Sequence, residues 1–109
     1  FVGLHQASFA THFTPCVEIG WRLSYDHWKK GYAFEAASRV LEYAFQTLSM
    51  EEIVSFTTKT NVRSENLMKK LGMSYRKEDD FMHPNIPNSS HLCSHVLYRL
   101  SKEDFLKRL

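Results

Sequence analysis

The sequence predicts an α/β fold built on a βαβ unit, and three observations support this prediction. Apolar and polar residues alternate over 17–23, which is the period of a strand with one apolar face. Apolar residues then recur at helical spacing over 33–48, and a β-branched and aromatic run at 53–58 predicts a second strand. Because such crossovers are right-handed, the two strands are expected to be parallel.

The following residues predict a second helix and two more strands. Asn61 or a neighbour is a suitable N-cap, and Gly72 a suitable C-terminal stop. The expected buried stripe of this helix is Leu67, Met68 and Leu71. Strands are predicted at 73–77 and 95–100, and 101–109 predicts a short amphipathic helix or tail.

Two segments leave alternatives open. Residues 79–91 are too long for a hairpin turn and contain two prolines, so they form either a lid or a plain surface excursion. Residues 1–4 are strand-forming and begin without methionine, which predicts that they come from a longer chain.

Composition narrows the class of protein. The chain has 109 residues, 43% apolar and 24% charged, which predicts a single domain over 1–109. No apolar run approaches the roughly 20 residues that cross a bilayer, so we expect a soluble cytoplasmic protein without a membrane partner. A net charge of +2 argues against a nucleic-acid surface and favours a small-molecule partner.

The cysteines and histidines do not predict a metal site. Cys16 and Cys93 are far apart in sequence and are expected to be reduced structural thiols. The six histidines include no His-x-x-x-His pair with a neighbouring carboxylate, so no zinc site is expected.

The loop between the first strand and the first helix is a candidate anion site. It is basic at Lys29 and Lys30 and contains Gly31 just before the helix, where free backbone N–H groups and the helix dipole favour a diphosphate. Alternatively, Gly31 only allows the chain to turn and the lysines are solvated. The loop follows the carboxyl end of a strand, the edge at which α/β sheets bind ligands, which favours binding.

Several motifs together resemble the GNAT superfamily of N-acetyltransferases, and more narrowly its RimJ/RimL-like branch. They are the strand 17–23, the loop 28–33 with Glu35 and Ala36, the pair Asn61 and Ser64, the turn 70–73 and the strand 95–100. Trp28 stands where the family usually has Gln or Arg, as is common in this branch, whereas Lys29 stands where the branch often has glycine. The resemblance extends over nearly the whole chain.

The resemblance implies a central mixed, twisted sheet in which two splayed parallel strands, 17–23 and 53–58, hold acetyl-CoA. The pantetheine arm would pair with the first strand through the backbone of Trp21 and Leu23, and the pyrophosphate would bind the amides of 29–33. Asn61 would contact the pantetheine arm through its side-chain amide. The implied cofactor-binding residues are Trp21, Leu23, Trp28, Lys29, Lys30, Gly31, Tyr32, Ala33 and Asn61.

The implied reaction transfers the acetyl group by direct attack to a primary amine of a protein N-terminus or small molecule, without a metal. Ser64 would stabilise the departing thiolate, because Met68 occupies the usual tyrosine position and cannot donate. Alternatively, Ser64 helps to cap its helix. Glu18 would be the general base; alternatively it pairs with Arg22 on the same face, and a water-mediated route removes the proton.

A rival interpretation is a non-catalytic acetyl-CoA-binding module or a degenerate, truncated acetyltransferase. Relatives have an additional N-terminal strand and helices lining the acceptor pocket, which this sequence is expected to lack. The unpaired sheet edge near 1–4 then favours a homodimer. A nucleotide-dependent phosphotransferase is disfavoured because the sequence has no phosphate-binding Gly-x-x-x-x-Gly-Lys loop.

Overall fold

The computed structural model describes residues 2–21 and 31–107. These residues form a mixed sheet of six strands, together with helices. The strands are β1 (Val2–Ala7), β2 (Cys16–Trp21), β3 (Glu52–Thr58), β4 (Ser74–Tyr75), β5 (Phe81–Met82) and β6 (Ser94–Ser101). The helices are α1 (Tyr32–Glu42), α2 (Val62–Lys70) and α3 (Lys102–Lys107), with a π-helical turn at Tyr43–Thr47 and a 3-10 turn at Lys77–Asp79.

The strand order is β1-β2-β3-β6-β4, and β5 also pairs with β6. Strands β2 and β3 are parallel, and the other paired strands are antiparallel. Helix α1 lies between β2 and β3 in the chain, so the predicted βαβ unit with parallel strands is confirmed.

Apolar residues cover both faces of the sheet. One face, the helix face, packs against the helices through a large core that includes Ile19, Leu41, Ile53, Leu67 and Leu100. The other, the aromatic face, carries a smaller cluster built around Phe13, Val54, Phe81 and Leu97, against which Phe9 and Phe56 pack. Strand alternation therefore places successive β2 side chains in different surroundings.

The first helix is shorter in α form than the periodicity predicts. It follows α geometry to Glu42 and then widens into the π turn, in which the N–H of Leu48 donates to the Tyr43 carbonyl. The wider turn leaves Ala44 and Phe45 fully buried, and the Phe45 ring stacks on Phe105 with centroids 4.9 Å apart. Ala44 and Phe45 of the predicted apolar stripe are therefore buried, whereas Leu48 is 43% exposed, and the predicted regular helix ends in the π turn.

The boundaries of α2 are those that the sequence predicts. The side-chain oxygen of Asn61 accepts a hydrogen bond from the Ser64 N–H over 3.2 Å, which is an N-cap. Gly72 has φ 86°, and its N–H donates to the Lys69 carbonyl. A left-handed glycine at this position satisfies a terminal carbonyl and stops the helix.

The segment after α2 departs from the predicted strand at 73–77 and loop at 79–91. The strand is limited to Ser74–Tyr75, and β5 pairs with β6 inside the predicted loop. The His83 N–H then donates to the Cys93 carbonyl over 2.8 Å. Because both short strands, β4 and β5, pair with β6, the segment after α2 is held against the sheet at several points.

None of the helices within residues 2–21 and 31–107 is long and apolar enough to cross a bilayer.

Candidate active site

The parallel strands β2 and β3 diverge after a single paired position. Glu18 lies opposite Val54, and this is the only registered pair that the described residues of the two strands form. By contrast, β1 stays paired with β2 from Val2↔Trp21 to Ala7↔Cys16. The backbone of β2 beyond Glu18 therefore faces a gap on its β3 side.

A side chain holds the strands together where the backbone ladder ends. The hydroxyl of Ser55, which is buried, donates to the Ile19 carbonyl over 2.9 Å. This bond satisfies a buried carbonyl that a regular parallel ladder would have paired with a backbone N–H. Ser55 thus stabilises the splayed arrangement instead of closing it.

The gap forms a cleft of about 270 Å³ that side chains from both faces of the sheet line. The aromatic face contributes His5, Glu18, Gly20 and Phe56. The helix face contributes Trp21, Ser55, Thr57, Asn61, Ser64 and Met68. A carboxylate and a hydroxyl predicted to act on the same reaction therefore line one opening through the sheet.

Glu18 is a partly buried carboxylate in this cleft. Its burial raises the pKa of the carboxyl group from its ordinary value of 4.5 to about 7. A methyl group at Gly20 would lie 4.0 Å from Glu18 Oε2 and 3.7 Å from His5 Cδ2, so these side chains share one floor of the cleft. A carboxyl group with this pKa can both accept and release a proton near neutral pH.

Ser64 is held in the cleft by two contacts. Its backbone N–H donates to Asn61, and its hydroxyl accepts a hydrogen bond from the indole N–H of Trp21 over 3.3 Å. The side chain is buried, yet it lines the opening. Asn61 supplies the side-chain cap at this helix start, while the Ser64 hydroxyl bonds across to β2.

The start of α1 fits an anionic group. Gly31 has φ 74° and caps the helix without a side-chain hydrogen bond. Among residues 2–21 and 31–107, no atom lies within 4 Å of the position that a Cβ at Gly31 would take. The first N–H groups of a helix have no carbonyl partner within it and favour anions. Tyr32 is half exposed and Ala33 is buried.

The predicted site residues that the structure describes lie in two places. The structure brings Glu18, Trp21, Asn61 and Ser64 to one cleft and places Gly31, Tyr32 and Ala33 at the start of α1. Leu23, Trp28, Lys29 and Lys30 lie outside the described residues, as does Arg22, the alternative partner of Glu18.

Sequence reasoning missed several cleft residues. The signal for Ser55 was a polar residue inside an apolar strand. His5 and Gly20 depend on the register of β1 with β2, which pairs Gly3 with Gly20 and His5 with Glu18. Over the described residues, His, Cys, Asp and Glu side chains form no group of three or more that could hold a metal.

Comparison with known proteins identifies the family. Residues 1–74 match the family described as the acetyltransferase (GNAT) domain. An uncharacterized N-acetyltransferase, YnaD of Bacillus subtilis, is 32% identical over 81% of this chain and 50% of its own length. The FsC-acetyl coenzyme A-N(2)-transacetylase of Aspergillus fumigatus is 31% identical over 86% of this chain and 40% of its own length.

Solved structures show the same fold. A GNAT-family acetyltransferase from Bacillus anthracis superposes with TM-score 0.72 and 28% identity, covering 94% of this chain and 57% of that protein. A spermidine N-acetyltransferase from Vibrio cholerae superposes with TM-score 0.71 at 18% identity, over 85% of this chain and 53% of that one. The chain spans about half the length of the curated relatives that it matches. The fold, the splayed β2–β3 cleft and the family match agree, and the chain belongs to the GNAT acetyltransferase family.

Proposed function

We propose that this protein is an N-acetyltransferase that transfers the acetyl group of acetyl-CoA to a primary amine of a protein N-terminus or small molecule. The observation that supports it most strongly is the single registered pair between β2 and β3, with Glu18 and Ser64 lining the gap beyond it. A gap of this kind offers unpaired strand backbone to an extended ligand.

The fit to acetyl-CoA rests on two features of the chain. The β2 backbone at Trp21 is the group that would pair with the pantetheine arm, and Leu23, which lies outside the described residues, is its second proposed partner. The helix start at Gly31, Tyr32 and Ala33 would bind the pyrophosphate. Trp28, Lys29 and Lys30, which precede it in the sequence and lie outside the described residues, are proposed to assist. Gly31 caps α1 without a side-chain hydrogen bond, and no described residue fills the space at its Cβ position, which is compatible with this role.

Glu18 is the proposed general base. An alkylammonium has a pKa of about 10 and must lose a proton before its nitrogen attacks the thioester carbonyl carbon. The pKa of about 7 that burial gives Glu18 makes it a stronger base than an exposed glutamate. Its carboxylate is present at neutral pH and accepts that proton.

Ser64 is the proposed donor to the leaving group. As the amine nitrogen bonds to the carbonyl carbon, the carbon–sulfur bond breaks and its electron pair remains on sulfur. The Ser64 hydroxyl already accepts from Trp21, so its own proton is available for donation to that sulfur. Because a serine hydroxyl is a donor as well as an acceptor, Ser64 would act as a hydrogen-bond donor or proton relay to the thiolate.

Turnover distinguishes this proposal from the rival, a non-catalytic acetyl-CoA-binding module. The purified protein is incubated with acetyl-CoA and a panel of primary amines, and free thiol and acetylated amine are both measured. Release of one thiol for each acetylamide formed supports the enzyme. The rate of this release should fall at least tenfold in Glu18→Gln and Ser64→Ala but not in the distant Ser74→Ala. Tight coenzyme A binding without thiol release supports the module.

We further propose a cytoplasmic protein and a homodimer. Over the residues that the structure describes, β1 is the last strand of the sheet and β2 is its registered partner. An edge strand can pair with a second copy. Light scattering tests the dimer, and a monomeric mass would contradict it. Assignment to the RimJ/RimL-like branch stays a prediction.

A further inference from the structure

A second cleft meets the first at Glu18. It has a volume of about 590 Å³, lies on the aromatic face, and shares Glu18 and Phe56 with the β2–β3 cleft. A ligand in the second cleft can therefore reach the same carboxylate as a ligand in the first. Resting on the proposed function, we infer that the second cleft binds the acceptor and selects a primary monoamine with an apolar, ring-sized body.

Three rings form one wall of this second cleft. Phe9 and His83 have centroids 4.4 Å apart, Phe9 and Phe56 5.6 Å, and Phe56 and His83 6.1 Å. All three side chains are half-buried, so each presents part of its surface to the opening. A contiguous aromatic surface binds an apolar or aromatic body through buried area and offset ring packing.

The charge of the wall limits the number of ammonium groups it can bind. Of the described residues that line the second cleft, Glu18 is the one acidic side chain. The polar groups Gln6, Ser8 and Asn85 carry no charge. A single ammonium pairs with Glu18, whereas a second would lose water without gaining a carboxylate. Within this described lining, one ammonium has a carboxylate partner and a second has none.

His83 adds a neutral ring to this wall. Its Nδ1 accepts a hydrogen bond from the Asn85 N–H over 3.2 Å, which places the proton of the neutral ring on Nε2. Burial, and then the nearby His95, lower the pKa of His83. A neutral imidazole does not repel the ammonium of an acceptor bound to Glu18.

Steady-state acetylation tests the inference with 2-phenylethylamine, methylamine and spermidine at saturating acetyl-CoA. We expect kcat/KM for 2-phenylethylamine to exceed that for spermidine at least tenfold. Phe9→Leu removes a ring while keeping an apolar side chain. It should raise the ratio of the KM for 2-phenylethylamine to the KM for methylamine several-fold. Preference for spermidine, or an equal loss for all amines, would overturn the inference.

A gain-of-function variant tests independently whether charge selects the acceptor. Ser8 is exposed and lines the second cleft, so Ser8→Asp adds a second carboxylate without disturbing the core. It should raise kcat/KM for spermidine about fivefold, whereas Ser74→Asp on β4, the matched control, should not. An unchanged spermidine rate in Ser8→Asp counts against charge as the selecting feature.

The inference and the proposed function fail in different ways. If no amine is acetylated, the proposed function fails, and binding alone then tests the cleft. 2-Phenylethylamine should still shift the NMR signals of the Phe9 and His83 rings at concentrations where methylamine does not. Absence of those shifts would overturn the inference whether or not the protein is an enzyme.

Discussion

The indole N–H of Trp21 donates a hydrogen bond to the hydroxyl of Ser64 over 3.3 Å, across 43 positions of sequence. The bond joins β2 to the first turn of α2 at the wall of the β2–β3 cleft. A hydroxyl that accepts from an indole keeps its own proton for a third group. We propose that Trp21 orients Ser64 toward the thioester sulfur.

Trp21→Phe tests this orientation. The substitution keeps a ring but removes the N–H donor, a hydrogen bond worth about 1 kcal/mol, so we expect kcat to fall about fivefold. Coenzyme A affinity should change by less than about twofold, because the β2 backbone is retained. If Trp21 acts through Ser64, adding Trp21→Phe to Ser64→Ala should not lower kcat further. Independent, additive losses would contradict the orientation.

The pH dependence of Glu18→Gln tests the base. The wild-type carboxyl has a pKa of about 7, so the base form grows as pH rises through neutrality. The ratio of wild-type to Glu18→Gln kcat/KM cancels the ionisation of the amine. It should rise through pH 7 and level off near 10²-fold, the lower end for a general base. Glu51→Gln, at an exposed position just before β3, is the control. A flat ratio would favour a water-mediated route.

The same residue predicts an unusual pH dependence of stability. A carboxyl whose pKa rises from 4.5 to about 7 on folding binds more protons in the folded state between those values. The free energy of unfolding therefore falls as pH rises from 4.5 to 7. Above pH 7 the full cost of ionising the buried carboxyl group is present. Partial exposure of Glu18 to water reduces the cost of burying its charge. Glu18→Gln, which removes the charge, should therefore stabilise the protein by on the order of 2 kcal/mol at pH 8.

Urea unfolding at two pH values measures this gain. Glu18→Gln and wild type should differ at pH 8 and coincide at pH 4, below both pKa values. A gain of equal size at pH 4 would show that packing, not ionisation, causes it. An increase in stability together with a loss of activity is expected of a functional carboxylate.

Asn61 carries two possible roles that a pair of variants separates. Its Oδ1 caps α2, while its side-chain NH₂ is the group predicted to reach the pantetheine arm. Asn61→Ala should lose about 1 kcal/mol of stability with the cap. Asn61→Asp keeps a capping oxygen and should retain that stability, yet bind coenzyme A several-fold more weakly. Equal coenzyme A affinity in Asn61→Asp and wild type would restrict Asn61 to capping.

Local patterns predicted the elements that position the site. The alternation in β2, the helical period of α1 and the cap and stop of α2 are each decided within a few residues, so a single sequence contains them. Right-handed crossover then gave the parallel pairing of β2 with β3. The roles of Glu18 and Ser64 came from a family resemblance, and the structure adds that both line one cleft.

The rest depended on long-range register, which no local pattern contains. The Ser55 bond to Ile19 and the pairing of His5 with Glu18 arise only when three strands are aligned. Part of the 79–91 segment forms β5 and not a loop, because its backbone pairs with β6. The aromatic wall of Phe9, Phe56 and His83 combines residues from three separate segments.

The central claim is that the β2–β3 gap holds the pantetheine arm of acetyl-CoA, and an NMR titration with coenzyme A tests it most directly. The chain has two tryptophans, so the indole N–H signal of Trp21 is assigned by comparison with Trp28→Phe. Saturating coenzyme A should shift that signal and the amides of Gly31 and Ser64, while the amides of β4 stay in place. If the Trp21 indole and Gly31 signals do not move, the cleft is not the cofactor site.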